Sequence, residues 1–184
     1  MPNETSPPAV PGSPVRKRLL STRLFAVEHR EYPGPDGAVI GRDVVVHPGA
    51  VVILPVLADG RIVLIRNYRY TVERELWELP AGTREPDESP AETARRELEE
   101  ETGYRADSVR PLVTFYTSPG VLTERMHAFV ATGLAHVGQK LMADEKIKVS
   151  PIASSEAKRM LVEGEFADGK TMAVLGMYFA KQHD

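Results

Sequence analysis

Runs of apolar residues divide the first half of the chain into short segments that are typical of β-strands. These Val- and Ile-rich segments cover residues 19–30, 39–47, 50–57 and 61–67. Turn sequences separate them: residues 33–37, Pro48-Gly49, and Asp59-Gly60, a pair that favours a hairpin. We therefore predict a β-sheet in the first half of the chain.

In the second half, strands alternate with helices. The same criteria predict strands at residues 76–79, 109–116 and 126–131, and a strand-like run at 147–149. Helical periodicity predicts two closing helices, near residues 154–163 and 171–181. Strands mixed with helices indicate an α/β fold.

The clearest helix is predicted from Pro90 to Thr102. Ser89 has the side chain of an N-cap, proline is favoured at the first helical position, and Glu92 completes a capping box. Gly103 is suited to the position just after the helix. Both ends of this helix are therefore specified by its own residues.

Composition narrows the class of protein. The chain has 184 residues, 42% of them hydrophobic, which is enough for one globular domain. A net charge of -3 argues against nucleic acid as the main partner, and the absence of cysteine excludes a thiolate nucleophile or a Cys-ligated zinc ion. Residues 1–14 are proline-rich and predict a flexible tail. Without a signal peptide or a membrane-spanning run, we expect no membrane partner and a cytoplasmic location.

The negative charge is concentrated in one segment. Residues 85–101 contain eight acidic residues and two arginines, so the rest of the chain is slightly basic. On the predicted helix, Glu97 and Glu101 lie side by side next to an apolar stripe, with Glu100 on the flank. These three carboxylates repel one another, and a divalent cation bound between them would replace the repulsion by attraction. Oxygen ligands favour Mg²⁺ or Mn²⁺. From the cluster alone, a solvated glutamate-rich helix face remains the alternative.

The spacing around the cluster resembles the long signature of the Nudix hydrolases. The matching positions are Gly82, Glu88, Arg96-Glu97-Leu98, Glu100-Glu101 and Gly103. The last position of the signature, usually a bulky aliphatic residue, is Tyr104 here, a departure that concerns packing.

Segments outside the signature are similar to the ADP-ribose pyrophosphatase branch of that family. They are Val51 to Leu57, Ile62 to Tyr70, Glu75 to Gly82, Ser118-Pro119-Gly120 and Asp168-Gly169-Lys170-Thr171. Pro119 follows Tyr104 by 15 residues, a spacing that hydrolases of other nucleoside diphosphate sugars share.

The resemblance implies roles for individual residues. It implies a metal site formed by Glu97, Glu100, Glu101 and the backbone carbonyl of Ala81, with Gly82, Glu88, Arg96 and Gly103 as structural residues. Arg96 is expected to orient the glutamates by ion pairs, and Gly82 to require a positive φ.

The base and the substrate contacts lie outside the signature. Glu145, next to Asp144 in an acidic loop, is the preferred general base, with a surface turn as the alternative, and Glu124 and Glu100 are further catalytic candidates. Arg69 suits phosphate binding, with an exposed strand arginine as the alternative, and Glu78 is a candidate to accept a hydrogen bond from a ribose hydroxyl. His127 and Trp77 are expected to be core residues rather than a ligand and a base-stacking residue.

The family resemblance implies an α/β/α sandwich around a mixed sheet. It suggests an N-terminal β region at 15–48 that contributes to a homodimer and a hydrolase domain at 49–184. The implied reaction is the Mg²⁺-dependent hydrolysis of ADP-ribose to AMP and ribose 5-phosphate, with Mn²⁺ as an alternative ion.

Two other functions stay open at this point. The first is hydrolysis of another nucleoside diphosphate sugar, such as a GDP- or UDP-hexose. The second is a ligand sensor without catalysis, although such sensors commonly lose the signature glutamates and this chain has them all.

Overall fold

The computed structural model describes residues 12–142 and 145–182, in two compact units. The first unit comprises the chain up to His47 together with Ser118–Thr123; the second comprises Pro48–Thr117 and the chain from Glu124 onward. Most of the predicted tail, residues 1–11, lies outside the described residues. Among the helices of the described ranges, none is long and apolar enough to cross a membrane.

The first unit is a three-stranded antiparallel sheet. Its strands are β1 (Val15–Ser21), β2 (Ala26–Pro33) and β3 (Val39–Val46), in that spatial order. The single strand predicted at 19–30 is wrong, because Thr22 turns the chain: its hydroxyl accepts hydrogen bonds from Leu24 N and Phe25 N. The predicted turn before β3 is confirmed and contains a short 3₁₀ helix, Pro35–Gly37.

A distant loop completes this unit. Val45 N donates to Val121 O at 2.8 Å, and Thr123 N donates to Val45 O at 2.9 Å. Ser118–Thr123 therefore extends the edge of the sheet at β3, although it lies more than seventy residues further along the chain.

The second unit contains two sheets. Its strands are β4 (Ala50–Pro55), β5 (Ile62–Arg69), β6 (Arg74–Glu78), β7 (Ala81–Thr83), β8 (Tyr104–Tyr116), β9 (Arg125–His136) and β10 (Ile147–Ile152). One sheet is mixed, with the order β7-β4-β9-β8 and a parallel β4–β9 pair. The other is antiparallel, with the order β10-β5-β6. All six residues of β4 are buried, as expected of a parallel strand covered on both faces.

The Asp59-Gly60 hairpin prediction is half right. The tight turn forms, with Gly60 N donating to Leu57 O at 2.9 Å, and a single bridge joins Val56 to Ile62. Beyond this bridge, β4 and β5 enter different sheets. Turn residues act locally, whereas strand pairing is decided by the packing of the whole unit.

Three helices cover the mixed sheet: α1 (Pro90–Thr102), α2 (Ser154–Val162) and α3 (Gly169–Ala180). The predicted bounds of α1 are confirmed, and those of α2 and α3 differ by one or two residues. Ala94 and Leu98 of α1 pack on Val51 and Ile53, on one face of β4. Helices α2 and α3 pack with the alternate residues Val52 and Leu54 on the other face. The α/β architecture with a mixed sheet is as predicted.

Candidate active site

The caps of α1 determine which side chains face the sheet. The Ser89 hydroxyl accepts from Glu92 N at 3.3 Å, and the Glu92 carboxylate accepts from Ser89 N at 2.8 Å. At the other end, Gly103 has φ 71°, in the left-handed region. With both ends defined, the helical repeat directs Glu97 and Glu101 toward strand β7.

Glu97 meets β7 at Gly82. A Cβ atom on residue 82 would lie 1.9 Å from Glu97 Cδ and 2.0 Å from Oε1, so any side chain at this position would displace the carboxylate. The expectation of a positive φ at Gly82 is wrong, since Gly82 is not among the positive-φ glycines of the described chain. Glycine is needed here for close approach and not for backbone conformation.

Glu101 lies behind Glu97 and is almost completely buried, with 4% of its surface exposed. Its Oε2 accepts a hydrogen bond from Ala81 N at 2.9 Å. Burial raises the pKa of Glu101 to about 8, and the charges of Glu97 and Glu145 add to this rise. A buried carboxylate next to other carboxylates is unfavourable in its charged form, and a bound cation would compensate its negative charge.

The pKa of Glu97 is raised as well. Burial is the main cause, and the charges of Glu100 and Glu145 contribute, whereas Arg96 opposes the shift. Arg96 Nη1 donates to Glu97 Oε1 at 2.8 Å and to Glu100 Oε2 at 3.0 Å. Positive charge from one guanidinium therefore balances the repulsion between these carboxylates only in part.

Glu88 fixes Arg96 from the opposite side. It accepts from Arg96 Nε at 2.8 Å and from Nη2 at 3.0 Å, and also from the Thr93 hydroxyl at 2.9 Å. The hydrogen bonds from Arg96 lower the pKa of Glu88 to about 2. Glu88 thus orients the arginine that orients the glutamates.

The donor set fits a hard divalent cation. Within residues 12–142 and 145–182, no group of three or more acidic or histidine side chains is arranged closely enough to hold a metal ion by itself. Glu101 is nonetheless buried and the Glu97 side chain is only 12% exposed, and both have raised pKa values that a nearby positive charge would reverse. Carboxylate oxygens suit Mg²⁺ or Mn²⁺, which also bind water and substrate phosphates.

A cavity of about 660 Å³ opens beside this cluster. Ala81 and Gly82 form its edge next to the glutamates, and its wall includes Arg69, Glu124 and Lys170. This volume is typical of sites that bind small molecules. The cavity therefore borders the two residues of β7 that contact the glutamates, and its wall carries two cations.

The two cations are held by a buried carboxylate, Glu78. It accepts from Arg69 Nε at 2.8 Å, from Arg69 Nη2 at 2.6 Å and from Lys170 Nζ at 2.8 Å. Asp168, the N-cap of α3, accepts a second bond from Lys170 Nζ at 2.8 Å. Glu78 is fully buried and both its oxygens accept hydrogen bonds from these cations. A hydrogen bond from a ribose hydroxyl to Glu78 stays a prediction.

The candidate bases occupy different places. Glu124 lines the cavity, and its Oε2 accepts from the Thr117 hydroxyl at 2.6 Å. Glu145 accepts from Met142 N at 2.8 Å, and its charge acts on both Glu97 and Glu101. Asp144 lies outside the described residues.

His127 and Trp77 are not at the cavity wall. His127 is half-buried and lies 3.3 Å from the Thr114 hydroxyl, and burial together with Arg125 and Arg84 lowers its pKa. Trp77 packs against the core, with the Arg66 guanidinium 5.1 Å from its ring centroid. Neither residue is in a position to bind a ligand in the cavity.

Lys170 is a site residue that the sequence interpretation missed. The segment Asp168-Gly169-Lys170-Thr171 carries a local signal only for Asp168, because an aspartate before a helix predicts an N-cap. Lys170 is the second residue of α3, and its pairing with Glu78 spans 92 residues of chain. Only the tertiary contact identifies its role.

A family model described as the NUDIX domain matches residues 46–160, more than half of the chain. The chain belongs to the NUDIX domain family. Every glutamate of the α1 cluster lies inside the matched range, as does the edge of the cavity at Ala81 and Gly82.

Several curated proteins are similar to this Nudix chain. An ADP-ribose pyrophosphatase of Bacillus subtilis (strain 168) is 36% identical over 158 residues, covering 85% of each chain. An ADP-ribose pyrophosphatase of Mycobacterium tuberculosis is 37% identical, covering 84% of this chain and 76% of the relative. A GDP-mannose pyrophosphatase of Escherichia coli O1:K1 is 34% identical, covering 92% and 95%.

The fold also has a solved counterpart. A structure described as an ADP compounds hydrolase superposes with a TM-score of 0.79, covering 92% of this chain and 94% of the other, at 23% identity. At this identity, the likeness supports the Nudix fold of the chain and not its substrate.

Proposed function

We propose that the protein is a Mg²⁺-dependent hydrolase of the pyrophosphate bond of ADP-ribose, releasing AMP and ribose 5-phosphate in the cytoplasm. The observation that carries this proposal is that Gly82 and Ala81, which contact the carboxylates of Glu97 and Glu101, line a cavity that has Arg69 and Lys170 on its wall. A diphosphate bridges such an arrangement, since its oxygens bind both metal ions and guanidinium groups. The names of two relatives, both ADP-ribose pyrophosphatases, support the choice of substrate.

The residues of the chain then have distinct roles. Glu97, Glu100, Glu101 and the Ala81 carbonyl would hold the ion. When bound, Mg²⁺ polarises the phosphoryl oxygens and neutralises the charge of the leaving phosphate. Arg69 binds non-bridging phosphate oxygens, with Lys170 beside it, and Glu78 holds both cations in place.

Bond making and breaking need a base. Water attacks one phosphorus, its oxygen forms the new P–O bond, and the bridging P–O bond breaks, so that the bridging oxygen leaves with the other phosphate. Glu145 accepts the proton from the attacking water. Its proximity to Glu97 and Glu101 supports this role, and Glu124 on the cavity wall and Glu100 are the alternative acceptors.

Another nucleoside diphosphate sugar is the second candidate substrate. The GDP-mannose pyrophosphatases among the relatives favour it, and one of them is aligned over 92% of the chain. The carboxylate cluster and the two cations recognise the diphosphate that both substrates share, so they do not discriminate between them.

A substrate panel separates the two candidates. Purified protein is incubated with Mg²⁺ and ADP-ribose, GDP-mannose or UDP-glucose, and released AMP, GMP and UMP are quantified. We expect the highest kcat/KM for ADP-ribose. Efficient release of GMP or UMP without turnover of ADP-ribose would reject the first substrate and retain the reaction class.

We further propose that the first unit forms a homodimer interface. All seven residues of β1 are exposed, and β1 is an edge strand of its sheet. Leu19, Leu20 and Val39 are each more than half exposed in this unit. Exposed apolar residues on an unpaired edge are typical of association surfaces.

Light scattering after gel filtration tests the dimer. We expect the mass of a dimer for the wild type and of a monomer for the double variant Leu19→Asp/Leu20→Asp. Val162→Asp is the matched control, because Val162 is 79% exposed at the end of α2 in the second unit. A monomeric wild type would refute the proposal.

A further inference from the structure

The chain that follows β9 lies on the C-terminal end of α1. We call residues 137–140 the capping segment. Val137 N donates to Gly103 O at 2.7 Å, and Lys140 N donates to Glu100 O at 3.0 Å. The last carbonyls of a helix have no partner within the helix, so these bonds satisfy groups that would otherwise need water or a side chain.

One side chain of the capping segment takes part in this pairing. Gln139 Nε2 donates to the main-chain oxygen of Glu101 at 2.7 Å. Glu101 is thus held at two points: Ala81 N binds its carboxylate, and Gln139 binds its carbonyl. The residue with the most buried carboxylate of the cluster is therefore fixed at both its side chain and its backbone.

The segment is seated closely on the helix end. A Cβ atom on Gly103 would lie 2.8 Å from Gln139 N and 2.8 Å from Gly138 C, and Gly103 has φ +71°. Two independent constraints, close approach and left-handed backbone, thus require glycine at this position. The contact is part of the fold and not a loose surface crossing.

The same stretch of chain leads to Glu145. Met142 N donates to Glu145 Oε2 at 2.8 Å, and Glu145 N donates to Met142 O at 3.1 Å. Met142 and Glu145 are therefore paired with each other, and the charge of Glu145 acts on Glu97 and Glu101.

We propose that Gln139 is a positioning residue that fixes the backbone of Glu101 through the hydrogen bond to the Glu101 carbonyl, and so sets the position of the Glu101 carboxylate among the metal-binding carboxylates. This inference rests on the proposed function, in which Glu97, Glu100 and Glu101 hold the ion. Gln139 acts through Glu101, since its amide binds the Glu101 carbonyl and not a ligand.

The substitution Gln139→Leu tests the proposal because it removes the donor at similar volume. We expect kcat to fall about tenfold with KM changed less than about threefold, as for a small misplacement of reacting groups. We also expect the Kd for Mn²⁺, measured by electron paramagnetic resonance without substrate, to increase at least about threefold. Gln139→Arg, which restores a donor next to the helix C-terminus, should recover most of both losses.

Gln182→Leu is the matched control, because it is the same substitution at an exposed residue after α3. It should leave kcat, the Mn²⁺ Kd and the Tm unchanged. Wild-type kcat and Mn²⁺ affinity in Gln139→Leu would overturn the proposal. A lower Tm with an unchanged Mn²⁺ Kd would also overturn it, since the role of Gln139 would then be structural.

The Mn²⁺ measurement separates this inference from the proposed function. If the wild type binds Mn²⁺ but hydrolyses none of the tested nucleotides, the proposed function fails. The effect of Gln139→Leu on the Mn²⁺ Kd still decides whether Gln139 positions the metal-binding carboxylates.

Discussion

Gly82 and Glu97 are in such close contact that the carboxylate occupies the space of a missing side chain. A Cβ atom at residue 82 would lie within 2.3 Å of Glu97 Cδ and of both its carboxylate oxygens. Strand β7 and helix α1 approach each other at this point because the strand has no side chain there. The placement of a metal-binding carboxylate therefore depends on a residue that carries no functional group.

Gly82→Ala should reduce kcat/KM about a hundredfold, because the methyl group must displace the Glu97 carboxylate. The overpacking should also lower the free energy of unfolding by about 1–3 kcal/mol. Both are measured on purified protein, by steady-state kinetics and by urea denaturation.

Gly176→Ala is the matched control for this substitution. Gly176 lies inside α3, and a Cβ atom there would have no heavy atom within 4 Å. Alanine should raise the free energy of unfolding by about 0.5–1 kcal/mol and leave activity unchanged. If Gly82→Ala were as active as Gly176→Ala, the close contact with Glu97 would have no functional meaning.

Glu97→Gln and Glu101→Gln should each abolish Mg²⁺-dependent turnover, with a loss of about a thousandfold or more, while the protein stays folded. Glutamine keeps the shape of the side chain and cannot ionise in a site that disfavours the charged form, so folding is not impaired. In the wild type, Mg²⁺ should raise the Tm, because the ion binds only the folded state, whereas the variants should show little shift. Turnover and calorimetry with and without Mg²⁺ are the measurements.

The same two variants distinguish an enzyme from a sensor without catalysis. Unchanged behaviour of both variants, in turnover and in the Mg²⁺-dependent Tm shift, would favour the sensor. Retained turnover in one variant would show that the substituted glutamate is not a metal ligand.

Glu78→Gln should destabilise the protein by about 3 kcal/mol, because removing one partner of a buried ion pair leaves the other without full compensation. It should also raise KM, since Arg69 and Lys170 lose the carboxylate that holds them at the cavity wall. Glu75→Gln is the control: its ion pairs with Arg66 and Lys148 lie near the surface, so less than about 1 kcal/mol should be lost. Equal effects of the two substitutions in denaturation would contradict the assigned role of Glu78.

The lowered pKa of Glu88 implies that the stability of the folded protein depends on pH. The pKa of Glu88 is about 2 in the folded protein, against an ordinary value of 4.5, so the folded state releases this proton more readily than the unfolded state. The stabilisation from its pairing with Arg96 is therefore complete above about pH 4.5 and is lost as the pH falls toward 2. The Tm difference between the wild type and Glu88→Gln should be largest at neutral pH and should shrink below pH 4.5; a difference independent of pH would refute this.

Local signals explain why α1 was predicted with its correct bounds. The capping box of Ser89 and Glu92 and the left-handed Gly103 act on their own neighbours, so the sequence contains the whole signal. The spacing of Glu97 and Glu101 on one helix face follows directly from those bounds. Prediction was weaker where pairing depended on distant segments, as at Asp59-Gly60, where the turn formed but the strands separated.

The sequence by itself determined the helix, the acidic cluster on it and the family resemblance, because each depends on residues at short, regular spacing. Only the tertiary structure decided what surrounds the cluster. It showed that Gly82 is required for contact and not for its φ angle, that Glu78 is buried under Arg69 and Lys170, and that Gln139 binds the backbone of Glu101. These contacts join residues 9 to 92 positions apart, and only the packing of the second unit brings such residues together.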